Sequence, residues 1–365
     1  MPHFLTGSFE LYSILRLLDL VFTRVAHDQK YKPSIWRLTM SSITIGIDVS
    51  KKKFDAHLVY ENSAEVRKTF TNDSKGFQEL KNLIPTGSKT IVGLEATGCY
   101  GENLVRYLHD CAIEVFVLNP AQVKYYAKSM MSRTKTDKVD AKVICTFLKL
   151  HQDRLQGWNP KSEELEKVQG LYRCIQDLKD DRVRVECRIE SCTSTNSIDK
   201  KVALSVYKRQ LAYLNEEIEK ATLEVLELIS SCKELGKKFE LLLGISGIGE
   251  QTALGILAEL PDIGQFINAK QLAAYAGLNP AIRESGSSVR GKGSISKTGS
   301  KNLRKLLYLP AMTALKYNPI IKTFGDRLKA KGKNGKVIVV AAMRKLLHII
   351  YGILKSREPF TGKII

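Results

Sequence analysis

The sequence predicts a mixed α/β domain in the first half of the chain and a mainly helical second half. Apolar residues alternate at Ile43, Ile45 and Ile47, which is typical of a strand with two different faces. From Ser162 onward the chain contains long stretches with few glycines or prolines, which favours helices. A chain of 365 residues can form two or three domains, and its 44% hydrophobic content is that of a soluble globular protein.

The α/β domain is predicted over residues 41–157. The first strand is followed by apolar residues over 54–60, so the two segments predict a hairpin. The further predicted elements, in order, are a strand at 66–71, a helix at 75–84, a strand in TIVGLEATG, a helix at 102–111, a strand in EVFVLNP and helical segments over 121–150. This order is typical of a ribonuclease-H-like sheet, although other α/β folds begin similarly.

Residues 158–239 are predicted to form a helical arm. Leu211, Ile218 and Val225 recur every seven residues, and the stripe Val168/Ile175 does the same earlier in the segment. The polar stretch SCTSTNSIDKK separates the two stripes, so the pattern predicts an antiparallel coiled coil. Two packed helices of a bundle would produce the pattern equally well.

Residues 240–365 are predicted to form a third, mainly helical domain. The stretch LLLGISGIGEQTALGILAEL places Gly244, Gly247 and Gly249 between two apolar helices, which predicts a helix-hairpin-helix whose backbone N–H groups can approach a phosphate. A glycine turn can also be purely structural. A Gly/Ser/Lys-rich loop follows, and then helices over Asn302–Tyr317 and Lys336–Leu354.

The net charge of +19 predicts a polyanionic partner. Residues 281–365 hold 19 Lys and Arg against three acids, an uneven distribution that favours nucleic acid over a merely solvated basic face. The seven cysteines form no CxxC pair and no Cys/His cluster, which indicates reduced thiols in a cytoplasmic protein and no zinc site.

Residues 1–40 fit poorly into any predicted domain. The apolar stretch LYSILRLLDLVF is too short and too charged to span a bilayer and has no signal-peptide cleavage pattern. Met40 directly precedes the first strand, so we expect translation to start there or the extension to be an appendage. No membrane association is expected.

Four acidic residues are candidates for metal ligands. Asp48 lies at the end of the first strand, Glu95 ends the strand TIVGLE, and Asp137 and Asp140 lie three residues apart on one face of a predicted helix. For any single acid a surface role is the better interpretation, but the four together predict a site for two Mg²⁺ ions. The neighbouring Lys135, Lys138 and Lys142 would attract a phosphate chain.

The second candidate region is the loop RESGSSVRGKGSISKTGS. Its glycines permit close backbone approach, and four cations in it could bind phosphate oxygens: Arg283, Arg290, Lys292 and Lys297. A serine here could be a nucleophile, but spacing cannot choose among Ser285, Ser287 and Ser288. Composition alone favours a phosphate-binding loop without a nucleophile. Lys301 and Arg304 continue the basic character into the next helix.

Several function classes are disfavoured. Neither candidate region contains a histidine, which argues against a Ser-His-Asp triad. The sequence has no GxxxxGK[ST] motif and no strand-linked GxGxxG, which argues against a nucleotide-hydrolysing motor.

The chain resembles the DEDD transposases of bacterial insertion sequences, in the family numbered one hundred and ten. Seven blocks carry this resemblance in the family's order between Ile43 and Phe360: GIDVSKKKFDAHLV, LEATGCYGENLV, VLNPAQVKYYAKS, RTKTDKVDAKVI, LLGISGIGEQTA, FINAKQLAAYAGLNP and RESGSSVRGKGSISKTGSKNLRKLLY. Residues 1–40 lie outside it.

The resemblance implies a RuvC-like domain with a DEDD tetrad, a coiled-coil connector and a C-terminal transposase domain with a nucleophilic serine. The tetrad falls on Asp48, Glu95, Asp137 and Asp140, and the serine that follows Glu in the family's ESGSSVRG block falls on Ser285. The resemblance also implies a structured noncoding bridge RNA that pairs with donor and target DNA. It further implies a dimer of dimers with composite sites, associated with the bacterial nucleoid.

Three other interpretations remain. A Holliday-junction nuclease would use the same acids with water as the nucleophile. A non-enzymatic architectural protein would bind nucleic acid through the helix-hairpin-helix and the basic segment. A sugar-kinase-like ATPase also begins with a stretch similar to GIDVS, but the chain lacks the later phosphate-binding glycine loops.

Overall fold

The computed structural model of the protein describes residues 42–96, 98–130, 137–194, 198–281, 284–285, 289–290 and 294–361. At residues 137–139, 198, 284–285 and 289–290 only the backbone is described. The chain divides between Asn159 and Pro160 into two compact units, here called the N-terminal unit and the C-terminal unit. Residues 1–40, predicted to be an extension, lie outside the described residues.

The N-terminal unit contains a five-stranded sheet. Its strands are β1 (Ser42–Val49), β2 (Lys53–Tyr60), β3 (Glu65–Thr71), β4 (Lys89–Glu95) and β5 (Glu114–Leu118). They lie side by side in the order β3-β2-β1-β4-β5. Strand β2 is antiparallel to β1 and β3, whereas β4 is parallel to β1 and β5. This mixed sheet is compatible with the predicted DEDD nuclease-like domain.

Helices cover both faces of the sheet. One face buries Ile43, Ile45 and Ile47 in a core that includes apolar residues of α1 (Ser74–Asn82) and α2 (Glu102–Asp110). The other core contains Ile91 and Phe116 with residues of α3 (Pro120–Ser129) and α4 (Asp137–His151). A short 3₁₀ helix, Gln152–Arg154, follows. Successive strand residues point to opposite faces, so the alternation in the sequence is a direct consequence of this layering.

The C-terminal unit begins with two long helices, α5 (Glu163–Thr193) and α6 (Ile198–Ser231). Val168 and Ile175 of α5 share a buried core with Val225 of α6. The structure therefore contains the pair of packed helices indicated by the heptad stripes, and the coiled-coil geometry stays a prediction.

The remaining helices enclose the rest of this core. They are α7 (Lys233–Leu243), α8 (Glu250–Glu259), α9 (Ala269–Tyr275), α10 (Lys301–Leu306), α11 (Tyr308–Tyr317), α12 (Pro319–Ala330) and α13 (Gly335–Ser356), with a 3₁₀ turn at Ile263–Gln265. The helix predicted over 302–317 is divided at Leu307. Helix α12 was not predicted, although Asn318 caps it and Pro319 occupies its first position, a common start signal.

Short strands interrupt the Gly/Ser/Lys-rich segment that the sequence indicated as a loop. Strand β6 (Pro280–Ala281) pairs with β9 (Ser294–Ile295), and β7 (Glu284–Ser285) pairs with β8 (Val289–Arg290). The two antiparallel pairs are nested in sequence as in a hairpin, and Ile295 of the outer pair packs against the helical core. Strands of two residues are too short to show an alternation in the sequence.

Helix α13 is the one helix among the described residues whose length and composition would allow it to cross a membrane, with a mean hydropathy of 1.9. Its buried residues Ala342, Leu346 and Ile350 belong to the core of the C-terminal unit. Packing against the surrounding helices accounts for its apolar composition.

Candidate active site and nucleic-acid interface

The first two candidate acids lie at one edge of the sheet. Strands β1 and β4 are parallel and in register up to Ile47 and Leu94, and the next residues along the two strands are Asp48 and Glu95. Both side chains are half-buried. Because neighbouring parallel strands end at the same edge, the sheet brings these two acids side by side.

Helix α4 lies directly on the strand that carries Asp48. A Cβ atom at Gly46 would come within 2.3 Å of both the Ala141 carbonyl oxygen and the Cys145 nitrogen, so helix backbone and strand backbone are in contact. The Cys145 thiol donates a hydrogen bond to the carbonyl oxygen of Thr44, 3.3 Å away. Burial raises the pKa of this thiol to about 12, so it remains a protonated donor.

This contact orients the helix relative to the strand. Cys145 lies over Thr44 and Gly46, and Ala141, one turn earlier in α4, lies over Gly46, so the start of α4 extends toward the end of β1 that carries Asp48. Gly46 and Asp48 share the face that α4 covers, because strand side chains alternate. The structure thus places the beginning of α4 at the acidic edge.

Asp137 is the first residue of α4, and Asp140 follows within its first turn. The Asp140 side chain is half-buried, and only the backbone of Asp137 is described. Among the side chains that the structure describes, no three His, Cys, Asp or Glu residues already form a cluster that could hold a metal ion. The fold therefore gathers the elements that carry the tetrad, and the ligand set itself stays a prediction.

The sequence analysis did not single out Asp55, a buried carboxylate beside this edge. Asp55 is only 5% exposed and lies opposite Asp48 in the pairing of β2 with β1. Its carboxylate accepts a hydrogen bond from the Thr69 hydroxyl and lies 3.7 Å from the Lys53 ammonium. The sequence has no signal for its burial, because a polar residue between Phe54 and Ala56 is the pattern of a solvent-facing strand position.

The three lysines predicted to attract phosphate differ in what the structure describes. The Lys142 ammonium lies 3.6 Å from a Glu65 carboxylate oxygen, and both side chains are nearly half exposed. An ion pair with that exposure is weak, so Lys142 can exchange Glu65 for a phosphate. Lys138 is described in its backbone only, and Lys135 lies outside the described residues.

The glycine turn between α7 and α8 has a packing role. Gly247 has a φ of 106°, and a Cβ there would come within 2.8 Å of the Ala314 Cβ in α11. Only glycine fits both the backbone conformation and the space. Gly249, by contrast, faces open space at the start of α8. The helix-hairpin-helix and its phosphate contacts remain predictions, with Gly249 the more accessible position.

Ser285 is the last residue of β7, opposite Val289 of β8. Four hydrogen bonds hold the base of this hairpin. The Ser296 amide donates to Asn279 O at 2.9 Å, the Lys297 amide to Gly277 O at 3.1 Å, the Ser300 amide to Tyr275 O at 2.7 Å, and Arg304 Nη1 to Ala276 O at 2.9 Å. The helical core thus anchors the segment that carries the serine. Ser287 and Ser288 lie outside the described residues.

The predicted basic contacts of the C-terminal unit fall into three groups. Lys297 and Lys301 are exposed, so both can meet a polyanion. Arg304 is half-buried and donates from Nη1 to the carbonyl oxygens of Ala276 and Ser300, which gives it a structural role. Arg290 is described in its backbone, paired with Glu284, and Arg283 and Lys292 lie outside the described residues.

Comparison with known proteins identifies the family. A DEDD transposase family model described as "Transposase" matches residues 45–195, and a second, described as "Transposase IS116/IS110/IS902 family", matches residues 239–326. The pilin gene-inverting protein of Moraxella bovis is 33% identical over 336 residues, covering 89% of this chain and 99% of the relative. The chain belongs to the IS110 family of transposases.

Other IS110 transposase relatives also match over nearly their whole length. The pilin gene-inverting protein of Moraxella lacunata is 33% identical, with 89% of this chain and 99% of the relative covered. The transposase for insertion sequence element IS1111A of Coxiella burnetii is 26% identical over 357 residues, with 89% and 93% covered. As an IS110 transposase, the chain is an enzyme that cleaves and rejoins DNA, and divalent-metal use is consistent with its DEDD domain.

Proposed function

We propose that the protein is an RNA-guided DNA recombinase of an insertion sequence, with Asp48, Glu95, Asp137 and Asp140 as metal ligands and Ser285 as the nucleophile. The main support is that Asp48 and Glu95 lie at neighbouring ends of two parallel strands, and that α4, whose first turn carries Asp137 and Asp140, packs on the strand of Asp48.

The donor set fits Mg²⁺ because carboxylate oxygens are the hard ligands that this cation prefers. When bound, Mg²⁺ would neutralise charge on a scissile phosphate and polarise it toward attack. The chain's own residues hold the carboxylates in place: the sheet register fixes Asp48 beside Glu95, and the glycine contact at Gly46 fixes the helix that carries the two aspartates. Lys142 would add positive charge for the DNA backbone.

The proposed role of Ser285 is to form a covalent link with DNA. Its Oγ attacks the scissile phosphorus and gives its proton to solvent or a nearby base, and the bond from phosphorus to a DNA oxygen breaks as that oxygen takes up a proton and leaves as a hydroxyl. A DNA hydroxyl from the new partner strand then attacks the phosphoserine, restores a phosphodiester and releases the serine. The phosphoserine preserves the bond energy, so rejoining requires no external energy source.

Guidance by a bridge RNA and action as a dimer of dimers rest on the family resemblance. The basic character of residues 281–365 suits both DNA and a structured RNA. RNA that copurifies with the protein should therefore contain two internal loops complementary to donor and target DNA.

A covalent-trapping experiment tests this mechanism. Wild-type protein incubated with suicide DNA substrate and Mg²⁺ should form a protein–DNA adduct that survives denaturing electrophoresis. Ser285→Ala should form none, while Ser287→Ala and Ser288→Ala, which change neighbouring serines of the same ESGSSVRG sequence, retain the adduct. An adduct that persists in Ser285→Ala would rule out the assignment.

The rival Holliday-junction nuclease predicts a different outcome. It would release nicked DNA without an adduct and without rejoined product. The similarity to proteins named for gene inversion favours rejoining, because inversion joins every end that it cuts. An inversion assay on DNA carrying two oppositely oriented ends would detect that activity.

A further inference from the structure

Asn72 links the two loops that follow the candidate metal-binding strands. Its side-chain Nδ2 donates one hydrogen bond to the carbonyl oxygen of Ser50 and another to that of Tyr100, both at 3.0 Å. Its backbone amide also donates to the carbonyl oxygen of Lys52 at 3.0 Å. One residue therefore bonds to both loops.

Topology explains how Asn72 reaches this position. It directly follows β3, and β3 runs in the same direction as β1 because each is antiparallel to β2. Strands β1, β3 and β4 therefore end at the same edge of the sheet. Asn72 thus lies at the edge that carries Asp48 and Glu95.

Both bonded loops are short extensions of the strands that carry these acids. Ser50 is two residues beyond Asp48, and Tyr100 is five residues beyond Glu95. The second loop also folds back on the strand ends: a Cβ at Gly101 would lie 3.0 Å from Leu94 Cδ1 and 4.0 Å from Val49 Cγ2. A displacement of either loop would therefore reach the residue next to an acid.

The chemistry of the amide suits this role. A primary amide has two N–H donors on one nitrogen, so it can bond to two carbonyl oxygens at once. Both partners of Asn72 are carbonyl oxygens, which fixes the nitrogen on that side. Its Oδ1 is buried and has no hydrogen-bond partner among the described residues. Leaving an acceptor unpaired costs free energy, so the side chain is placed for its two donors.

We propose that Asn72 is a positioning residue that sets the separation of Asp48 and Glu95 and thereby the affinity of the site for divalent cations. This inference rests on the proposed function, because it assumes that those two acids hold the metal. Asn72 itself need not contact metal or DNA. Residues that orient metal ligands commonly change metal affinity by about 10- to 100-fold when they are removed.

The test compares Asn72→Ala with Asn62→Ala in the full chain. Asn62 caps the turn between β2 and β3 at the opposite edge of the sheet, where its Oδ1 accepts from the Ala64 amide at 3.1 Å. Both variants lose one asparagine, so the control reports the general cost of that loss. Binding of Mn²⁺ is measured by electron paramagnetic resonance without DNA, and the Mg²⁺ concentration for half-maximal DNA cleavage is measured separately.

We expect Asn72→Ala to weaken Mn²⁺ binding and to raise the Mg²⁺ requirement, each by about tenfold or more, with cleavage recovering at high Mg²⁺. Asn62→Ala should match the wild type in both. Wild-type values in Asn72→Ala would overturn the inference. If Asn72→Ala does not fold, Asn72→Ser, which keeps one hydroxyl donor, is measured by the same criteria.

A third variant separates this inference from the proposed function. Asp48→Ala should lose Mn²⁺ binding at the site. If Asp48→Ala binds Mn²⁺ as the wild type does, the proposed metal site is wrong. If Asp48→Ala loses binding and Asn72→Ala keeps it, only the positioning role is wrong.

Discussion

The two units of the protein hold their candidate groups in different ways. In the N-terminal unit, Asp48 and Glu95 lie on strands of eight and seven residues, respectively, that are buried between helices on both faces. In the C-terminal unit, Ser285 belongs to a strand of two residues that pairs with another strand of two residues. The acids are therefore fixed by a sheet, whereas the serine is fixed mainly by the hydrogen bonds at the hairpin's base. The difference is consistent with the proposed roles of the acids as metal ligands and of Ser285 as the nucleophile.

The largest expected effect comes from removing one candidate group in each unit. It also tests whether the acids of one protomer and the serine of another form a shared site. Asp48→Ala and Ser285→Ala should each lower recombination by at least about a thousandfold, because each removes a group that we propose to act in the reaction. If the site is composite, a mixture of the two inactive proteins should regain product. Each variant alone and each mixed with wild type are the controls, and a mixture that remains inactive would contradict a composite site.

A smaller effect is expected from the backbone contact at Gly46. Gly46→Ala forces a Cβ against the backbone of α4, so we expect a loss of about 3 kcal/mol in the free energy of unfolding. Gly93→Ala is the matched control, because its Cβ would meet only the flexible Leu148 and Leu118 side chains, at 3.1 and 3.4 Å. Urea unfolding is followed by the fluorescence of Trp158, which packs against the core of the N-terminal unit, and Trp36, which lies outside the described residues, is replaced by Phe in both variants. Equal losses of unfolding free energy in Gly46→Ala and Gly93→Ala would contradict a rigid contact between β1 and α4.

A still smaller effect distinguishes the exposed lysines of the two units. Lys297→Ala and Lys301→Ala should each weaken DNA binding and reduce the slope of log K against log salt by about one, if each contacts a phosphate. Lys89→Ala in the N-terminal unit is the control, because the exposed Lys89 begins β4 at the edge of the sheet opposite the candidate acids. Fluorescence anisotropy over a salt series measures the slopes, and an unchanged slope for both C-terminal variants would remove these residues from the interface.

The smallest expected effect is a dependence of stability on pH. Burial lowers the pKa of His57 in the N-terminal unit and, by the same cause, the pKa of His348 in the C-terminal unit. In the unfolded chain, the His57 side chain takes up a proton at its ordinary pKa of 6.5, whereas in the folded chain it does so only at a lower pH. The free energy of unfolding therefore has its full value above pH 6.5 and decreases as the pH falls toward the lowered pKa of the folded state.

His57→Gln should make the melting temperature of the N-terminal unit less sensitive to pH between about 6.5 and 5. Tryptophan fluorescence again follows that unit. His348→Gln, in the C-terminal unit, should leave the pH dependence of the N-terminal unit's melting temperature unchanged. A wild-type pH dependence in His57→Gln would show that other groups are responsible.

Much of the fold was predictable because the pattern that identifies each element is local. The alternation at Ile43, Ile45 and Ile47 and the heptad stripe through Ile218 and Val225 reflect the faces that these elements bury, and the structure confirms the mixed α/β first half and the helical second half. Helix α12 could have been predicted from Asn318 and Pro319. The two-residue strands around Ser285 could not, because they have no periodicity.

The site was only partly predictable for a different reason. Asp48 and Glu95 could be proposed because each ends an apolar strand, a signal within a few residues. The role inferred for Asn72 has no local signal, since its partners lie 22 and 28 residues away and are carbonyl oxygens, which every residue has. Asp55 was overlooked because its position opposite Asp48 depends on strand register, which only the folded sheet specifies.

Because residue 46 is a glycine, the contact between β1 and α4 affects which mutations this protein can accept during evolution. Where two elements meet through their main chains, the spacing between them does not depend on which apolar residues surround the contact. Neighbouring core positions can therefore be exchanged by mutation without moving the two aspartates of α4 away from β1. Sequence drift around such a contact alters stability and leaves the layout of the acids intact, so long as that one position stays a glycine.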